Sequence, residues 1–422
     1  MSALSSPSFA GSRWVLPFLG GVTFLTAIGN LGLVSVMPAI GRMLHIPDFL
    51  VAGIFSVSAL TWAISSPFWV SRIERAGAAF YIRAGLVGFL LSMGGCALSV
   101  ELGLTGLLPP LATFGCFAVL RSVYGLLGSA AATATQAFVA ARTEGEQRTQ
   151  AITGLAGALS LGTIVGPAIA PAMMVDPLGP LGPMLGFALF GLLALGGSYI
   201  FLPAISPGAA AVPGGPLGDA LGDSGAPSLT EVWRRRAIGR NLNFGLLLCS
   251  AQAINLYTIG FVIIDRTPPA ALTAQQMIGL AMTSGAIAAL LAQWGLVRLL
   301  SLSPAAMMRV GAGLACVGNI AAMLDGGIWA AVSGFVLASF GYGLARPGFS
   351  AAASLAGTAR EQVGIASAIT LIAGASITLP PIAASMAYQL WLPAPFAIAV
   401  AICGGLLLAS LRPAPIRLEH CS

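Results

Sequence analysis

Arg121 is the residue whose type and position most plainly ask for chemistry. It stands inside a long uncharged apolar run, with Tyr124, Gly125 and Gly128 at spacings of three, four and seven, which places them on one helical face. A guanidinium stays charged at any physiological pH and presents a planar fork of N–H donors. It cannot act as a proton carrier, but it can grip a carboxylate or another oxyanion. A second arginine, Arg346, precedes Pro347 in another apolar run, with Tyr342, Ser339 and Ser350 one or two turns away on the same face. Two readings of Arg346 stand side by side: it lines a polar cavity together with that stripe, or its stem lets the charge snorkel to the membrane interface. Asn30 with Thr26, and Gln252 with Asn255, are polar pairs one turn apart that suit a cavity wall or an interhelical hydrogen bond.

What is absent narrows the chemistry further. All 13 acids fall between the apolar runs or near their ends, so none lies deep enough to serve as an intramembrane proton carrier; Asp48, Asp265, Glu146 and Glu361 are weak substitutes. The sequence has two histidines, His45 and His420, no Ser, His and Asp arrangement and no phosphate-binding glycine loop. Five of the six cysteines lie in apolar runs without ligand spacing. The expectation is therefore no catalytic residue, no metal and no cofactor, and the reading is not that of an enzyme.

These residues must be positioned by membrane helices. Of 422 residues, 57% are hydrophobic and only 8% charged, far too few charges to cover a soluble globule. Twelve uncharged runs can be traced, at about 14 to 40, 50 to 70, 78 to 99, 105 to 138, 150 to 174, 180 to 203, 241 to 264, 275 to 299, 304 to 324, 327 to 355, 362 to 387 and 391 to 411. Each is close to the roughly 20 residues that cross a bilayer as a helix. Backbone groups in lipid must be bonded within the segment, so the fold class is all-α, a polytopic membrane protein of twelve transmembrane helices. The first run follows Arg13 and is too long for a signal segment, so it reads as a retained span.

Charge then sets the topology. The net charge is +6 and all 19 basic residues are arginine, scattered between the runs with no continuous stripe of the kind that binds nucleic acid. Two arginines, Arg121 and Arg346, lie deep within runs, and two, Arg42 and Arg266, lie on one set of alternate loops. The other fifteen fall on the opposite set, which places both termini in the cytoplasm of a plasma (inner) membrane protein. Residues 204–240 are rich in Pro and Gly and end in Trp233, Arg234, Arg235 and Arg236. They read as a cytoplasmic linker closing with a short surface helix, dividing an N-terminal half, 1–203, from a C-terminal half, 241–422. The halves repeat: Phe117, Tyr124 and Gly125 recur at one constant spacing as Phe335, Tyr342 and Gly343, and Glu146, Gln147 and Ala151 at another as Glu361, Gln362 and Ala366. Two pseudo-symmetric six-helix halves follow, with a site between them.

The motifs resemble those of the major facilitator superfamily, most closely its twelve-helix drug and metabolite exporters with antiporter character. The strongest match runs from Gly157 to Pro171, where Gly162, Gly166 and Pro167 resemble the antiporter motif of the fifth helix. Arg121 with Tyr124, Gly125 and Gly128 resembles the family's arginine motif in the fourth. The loop after the second helix matches less well: Arg72 and Arg75 fit its gating signature, but Pro67, Ser71 and Glu74 replace a Gly, an Asp and a Gly, leaving Glu74 to supply a carboxylate if any residue does.

The resemblance implies a secondary transporter that exports a small molecule by alternating access, with a conformational role for Arg72, Glu74, Arg75, Gly162, Gly166 and Pro167. Two arginines without acids favour a substrate that brings its own negative charge, such as a carboxylate-bearing metabolite or metallophore, with siderophore export as one form of this. The site residues expected to meet it are Arg121, Tyr124, Arg346, Tyr342, Asn30, Gln252 and Asn255. Exchange against protons accompanies the motif, and the partners are the substrate and the lipid bilayer around a monomer. The alternatives are uptake of an organic anion or sugar by symport, or a sensor or scaffold on the same fold.

Overall fold

The computed structural model describes residues 14–143, 145–202, 229–267, 271–296, 302–324, 326–358 and 361–411. Among these there is no strand, and twelve helices are long and apolar enough to cross a membrane. The N-terminal half contains α1 (Val15–Met43), α2 (Asp48–Ala76), α3 (Ala78–Leu104), α4 (Pro110–Arg142), α5 (Gly145–Ile169) and α6 (Gly182–Phe201). A short helix α7 (Leu229–Arg234) leads directly into α8 (Arg236–Arg266). The rest of the C-terminal half is α9 (Ala271–Leu290, widening into a π-turn at Leu291–Leu296), α10 (Pro304–Met323), α11 (Gly327–Leu355), α12 (Gln362–Thr378), α13 (Pro380–Leu390) and α14 (Ala394–Leu411).

The element boundaries follow local chemistry. Pro110 opens α4 and Pro304 opens α10, positions where a missing N–H costs nothing. Ser303 caps α10 by accepting a hydrogen bond from the Ala306 amide. The eleventh apolar run, expected as one helix, is two: Pro380 and Pro381 cannot continue the hydrogen-bond ladder, so α12 stops at Thr378 and α13 restarts at Pro380. Residues 204–228 of the expected linker lie outside the described residues. Its last part is helical, and α8 begins at Arg236, earlier than residue 241, so that Arg236 and Arg240 lie on the first turns of the span.

The two halves share most of their helix pairings, apart from α8 on α11, which has only a slight counterpart between α1 and α4. In the N-terminal half α1 packs on α5 and α6, α3 on α4 and α6, and α2 on α4. The C-terminal half repeats this with α8 on α12, α13 and α14, α10 on α11 and α14, and α9 on α11. Between the halves α5 meets α9 while α2 meets α12 and α13, contacts that a two-fold axis between them would exchange. This pattern matches the repeated residues of the sequence. The candidate functional site sits where α1, α2 and α4 face α8.

Candidate functional site

Arg121 is 3% exposed, and the buried charged residues among those described are Asp48, Arg121 and Glu361. Asp48 opens α2, and Glu361 immediately precedes α12 at the other end of the bundle. Arg121 is therefore the buried charge at mid-depth. Its Nη2 donates to Asn30 Oδ1 at 2.8 Å, and Asn30 Nδ2 in turn donates to the Tyr124 hydroxyl at 2.9 Å. Its Nε and Nη1 are buried without a hydrogen-bond partner. The guanidinium carbon lies 5.1 Å from the Tyr124 ring centre and 5.8 Å from that of Phe55. Phe55 packs on Tyr257 of α8 at 5.4 Å, and Tyr124 on Trp62 at 6.0 Å. Aromatic faces carry negative charge and so hold the cation where a carboxylate cannot compete for it within the protein.

Close helix packing creates this geometry. A Cβ on Gly166 would stand 2.5 Å from the Ile28 carbonyl oxygen and 2.8 Å from the Gly32 amide, and one on Gly162 would stand 2.5 Å from Ala27. Only glycine lets α5 press onto the stretch of α1 that carries Asn30. Pro167 extends the same contact across the halves, because its carbonyl lies 2.8 Å from where a Cβ of Gly279 on α9 would be. In α4, a Cβ on Gly125 would meet the Ser58 carbonyl at 2.5 Å. The Ser58 hydroxyl donates to the Arg121 carbonyl at 2.9 Å, which secures α4 against α2.

On the side of the site towards Arg42 the bundle is closed. The void between α1, α2 and α8, lined in part by Val34, Met37, Phe55, Tyr257 and Phe261, has a volume of about 10 Å³, which leaves no room for cargo. Beyond it Arg42 makes two bonds of 2.7 Å to Asp48 and two of 3.1 and 3.2 Å to Asp265. The Tyr388 hydroxyl donates to Asp265 at 2.5 Å. Arg42 and Asp48 belong to one half, and Asp265 and Tyr388 to the other. Gln275 Nε2 to the Ser35 carbonyl and Ser56 Oγ to the Ile377 carbonyl add further bonds between halves on this side. Towards the opposite end the expected polar residues become more accessible: Asn30 and Gln252 are half-buried, and Arg346 is exposed.

The other expected residues separate into distinct places. Tyr342 is 1% exposed and does not share the surface of Arg346. Its hydroxyl accepts hydrogen bonds from Asn255 Nδ2 at 3.3 Å and Asn319 Nδ2 at 3.0 Å, and Asn255 also donates to Asn319 Oδ1 at 2.8 Å. The polar stripe expected along α11 is thus divided along its length: Tyr342 is enclosed by Asn255 and Asn319, while Arg346, one turn further along the same face, is exposed and lies near Cys249 of α8. Asn255 and Tyr342 are the C-terminal counterpart of Asn30 and Tyr124, with no arginine. Arg72 stacks on Phe68 at 3.3 Å and bonds its carbonyl oxygen. The side chains of Glu74 and Arg75 lie outside those described. Phe55, Tyr257, Asn319 and the role of Arg42 are additions that sequence reading did not supply. The six-residue spacing of Arg42 and Asp48 was the available signal, but Asp265 is remote in the chain.

At the Arg235 end, Arg235 Nη1 donates to both carboxylate oxygens of Glu361, which also accepts from the amide and hydroxyl of Thr358. Arg235 first, and then the Thr358 amide, hold this carboxyl down to about 2. That removes Glu361 as a proton carrier near neutral pH.

A buried cation between two pseudo-symmetric helical halves, sealed on one side, defines a multi-pass membrane transporter fold. Residues 19–376 match the sequence model of the Major Facilitator Superfamily, and the chain belongs to that family. Among solved structures it is similar to the nucleoside transporter NupG (TM-score 0.73, 12% identity, covering 94% of this chain and 97% of that one). It is also similar to the human organic anion transporter MFSD10 (TM-score 0.61, 17% identity, 94% and 98% covered). A third is a bacterial homologue of the human lysosomal transporter Spinster, solved inward-facing and occupied (TM-score 0.67, 11% identity, 95% and 94% covered). No curated protein sequence matches the chain.

Proposed function

We propose that this chain is a secondary transporter that exports a small organic anion by alternating access, with Arg121 holding the anionic group. The observation that carries the proposal is the buried guanidinium whose Nε and Nη1 have no hydrogen-bond partner. A charge at mid-depth is expensive unless something offsets it, and the neighbours supply one amide oxygen and two aromatic faces. An anionic cargo would complete the set. The likeness to an organic anion transporter supports the view that this architecture suits such cargo.

In this reading both termini are cytoplasmic, as the arginine distribution favours, so the end closed by Arg42 faces outwards and cargo enters from the cytoplasm. Exchange of states requires the halves to part at Arg42. On opening, Arg42 keeps its ion pair with Asp48, and Asp265 keeps the Tyr388 hydrogen bond and partial contact with solvent. The glycines at 162 and 166 support export through their resemblance to the antiporter motif. Proton exchange has no carboxylate at the depth of Arg121 among the described residues, so coupling rests on the cargo's own carboxylate or on acids at the helix ends.

Transport by purified protein in proteoliposomes tests this, with the cargo identified by comparing media from expressing and deleted cells. Arg121→Lys keeps the charge, loses the planar fork, and is expected to fold but to lose most transport. Full transport by Arg121→Ala at normal expression would remove α4 from the site. Accumulation inside right-side-out vesicles, rather than loss from them, would reverse the direction.

A further inference from the structure

We infer that the transporter is an obligatory anion exchanger: the halves return only when a small inorganic monoanion, of the chloride class, takes the place of the departed cargo beside Arg121. The inference rests on the export reading above and names what travels back. Its ground is that no described residue can discharge the site. Arg121 is 3% exposed, its Nε and Nη1 have no hydrogen-bond partner, and Nη2 is bonded at 2.8 Å to Asn30, a neutral amide. A guanidinium keeps its proton at any physiological pH, so it cannot neutralise itself by releasing one. The titratable groups around it are Cys96 of α3, Tyr124 of its own helix and Tyr257 of α8, a thiol and two phenols that carry no charge near neutral pH.

The acids among the described residues are committed elsewhere. Asp48 and Asp265 both bond Arg42, and Glu361 is held by Arg235 and Thr358 at the other end of the bundle. Glu101, Glu146, Asp176 and Glu231 are exposed. Arg346, near Cys249 of α8, adds positive charge and so enlarges the deficit. Alternating access turns this deficit into a constraint on the cycle. With cargo bound, its negative charge balances Arg121 while the site is sealed from water. Without cargo, the same passage carries an unpaired charge through the membrane interior, which is costly. A small anion taken up from the far side removes that obstacle, because Nε and Nη1 can donate to it while Asn30 keeps Nη2. Charge is all that the return step requires.

Chloride is the probe, with the full-length protein in liposomes, potassium on both sides and valinomycin holding the voltage at zero. Uptake of labelled chloride is expected to be at least about tenfold faster into liposomes loaded with chloride than into liposomes whose internal anion is dextran sulfate, a polyanion too large to enter the site. Asn30→Asp places a carboxylate against Arg121 and so gives the empty site a counter-charge of its own; the ratio of the two rates is expected to fall towards unity. Equal rates in the unsubstituted protein, no chloride flux in either arrangement, or an unchanged ratio in folded Asn30→Asp would overturn the inference. Cargo export undiminished with dextran sulfate alone on the far side would overturn it while leaving the export reading intact. Chloride exchange with no movement of cargo would uphold it and defeat the export reading instead.

Discussion

Replacing Asp265 with Asn tests whether the Arg42 cluster is a reversible latch between the halves. Arg42 is bound unequally, at 2.7 Å twice to Asp48 in its own half and at 3.1 and 3.2 Å to Asp265 across the interface. The cross-interface pair is also partly in solvent, with side chains 39% and 29% exposed. An ion pair in that setting contributes about 0.2–1 kcal/mol. Asn at 265 keeps a carbonyl oxygen for Arg42 and Tyr388 but loses the charge, so the ratio of closed to open states at this end is expected to fall about 1.4- to 5-fold. Spin labels at Leu107 and Leu392, both exposed near this end, report that ratio as the weights of short and long distances. High salt should produce a similar shift in the unsubstituted protein and little further change in the variant, because screening acts on the same exposed pair. Unchanged weights would refute the latch. A shift far beyond tenfold would show that the pair is worth more than an exposed ion pair, and loss of gradient-driven transport with its steep pH dependence removed would show that Asp265 is a proton site.

Three further outcomes are expected. Gly166→Ala places a methyl group 2.5 Å from the Ile28 carbonyl oxygen and should destabilise the fold by about 1–3 kcal/mol, read by thermal unfolding, with a loss of transport larger than that from a substitution on the lipid face. Because the Glu361 carboxyl is held down to about 2, its pairing stabilises the fold fully above the ordinary carboxylate value and fades as pH falls towards 2. Glu361→Gln should therefore lower the melting temperature by a constant amount from pH 5 to 8, and the difference should shrink below about pH 4.5. Cysteines introduced singly at Gly215 and Leu107 in a Cys-free background should react with an impermeant reagent from inside and from outside respectively; labelling of position 215 from outside would defeat the arginine-based topology.

The twelve spans, the six-plus-six plan and the burial of Arg121 within its span were legible because each depends on a short stretch of chain. Hydropathy over about 20 residues decides whether a segment enters lipid, and helical spacing decides which neighbours share its face. The sequence alone therefore placed Tyr124 beside Arg121 and Asn30 beside Thr26. It also showed repeated residues, which the common pairing of helices in the two halves matches.

Partners across helices were decided only by the tertiary structure. Arg121 and Asn30 are far apart in the chain, and nothing local says that Asn30 turns towards α4 and not towards lipid. Likewise Tyr342 and Arg346 occupy neighbouring turns of α11, yet one is sealed inside a half and the other is exposed. In a membrane the hydropathy of a span says little about its rotation, because the lipid-facing and protein-facing sides are both apolar. Rotation is set instead by where small residues let helices approach, and so Gly162, Gly166 and Gly125 acquire their meaning only once their partners on α1 and α2 are known.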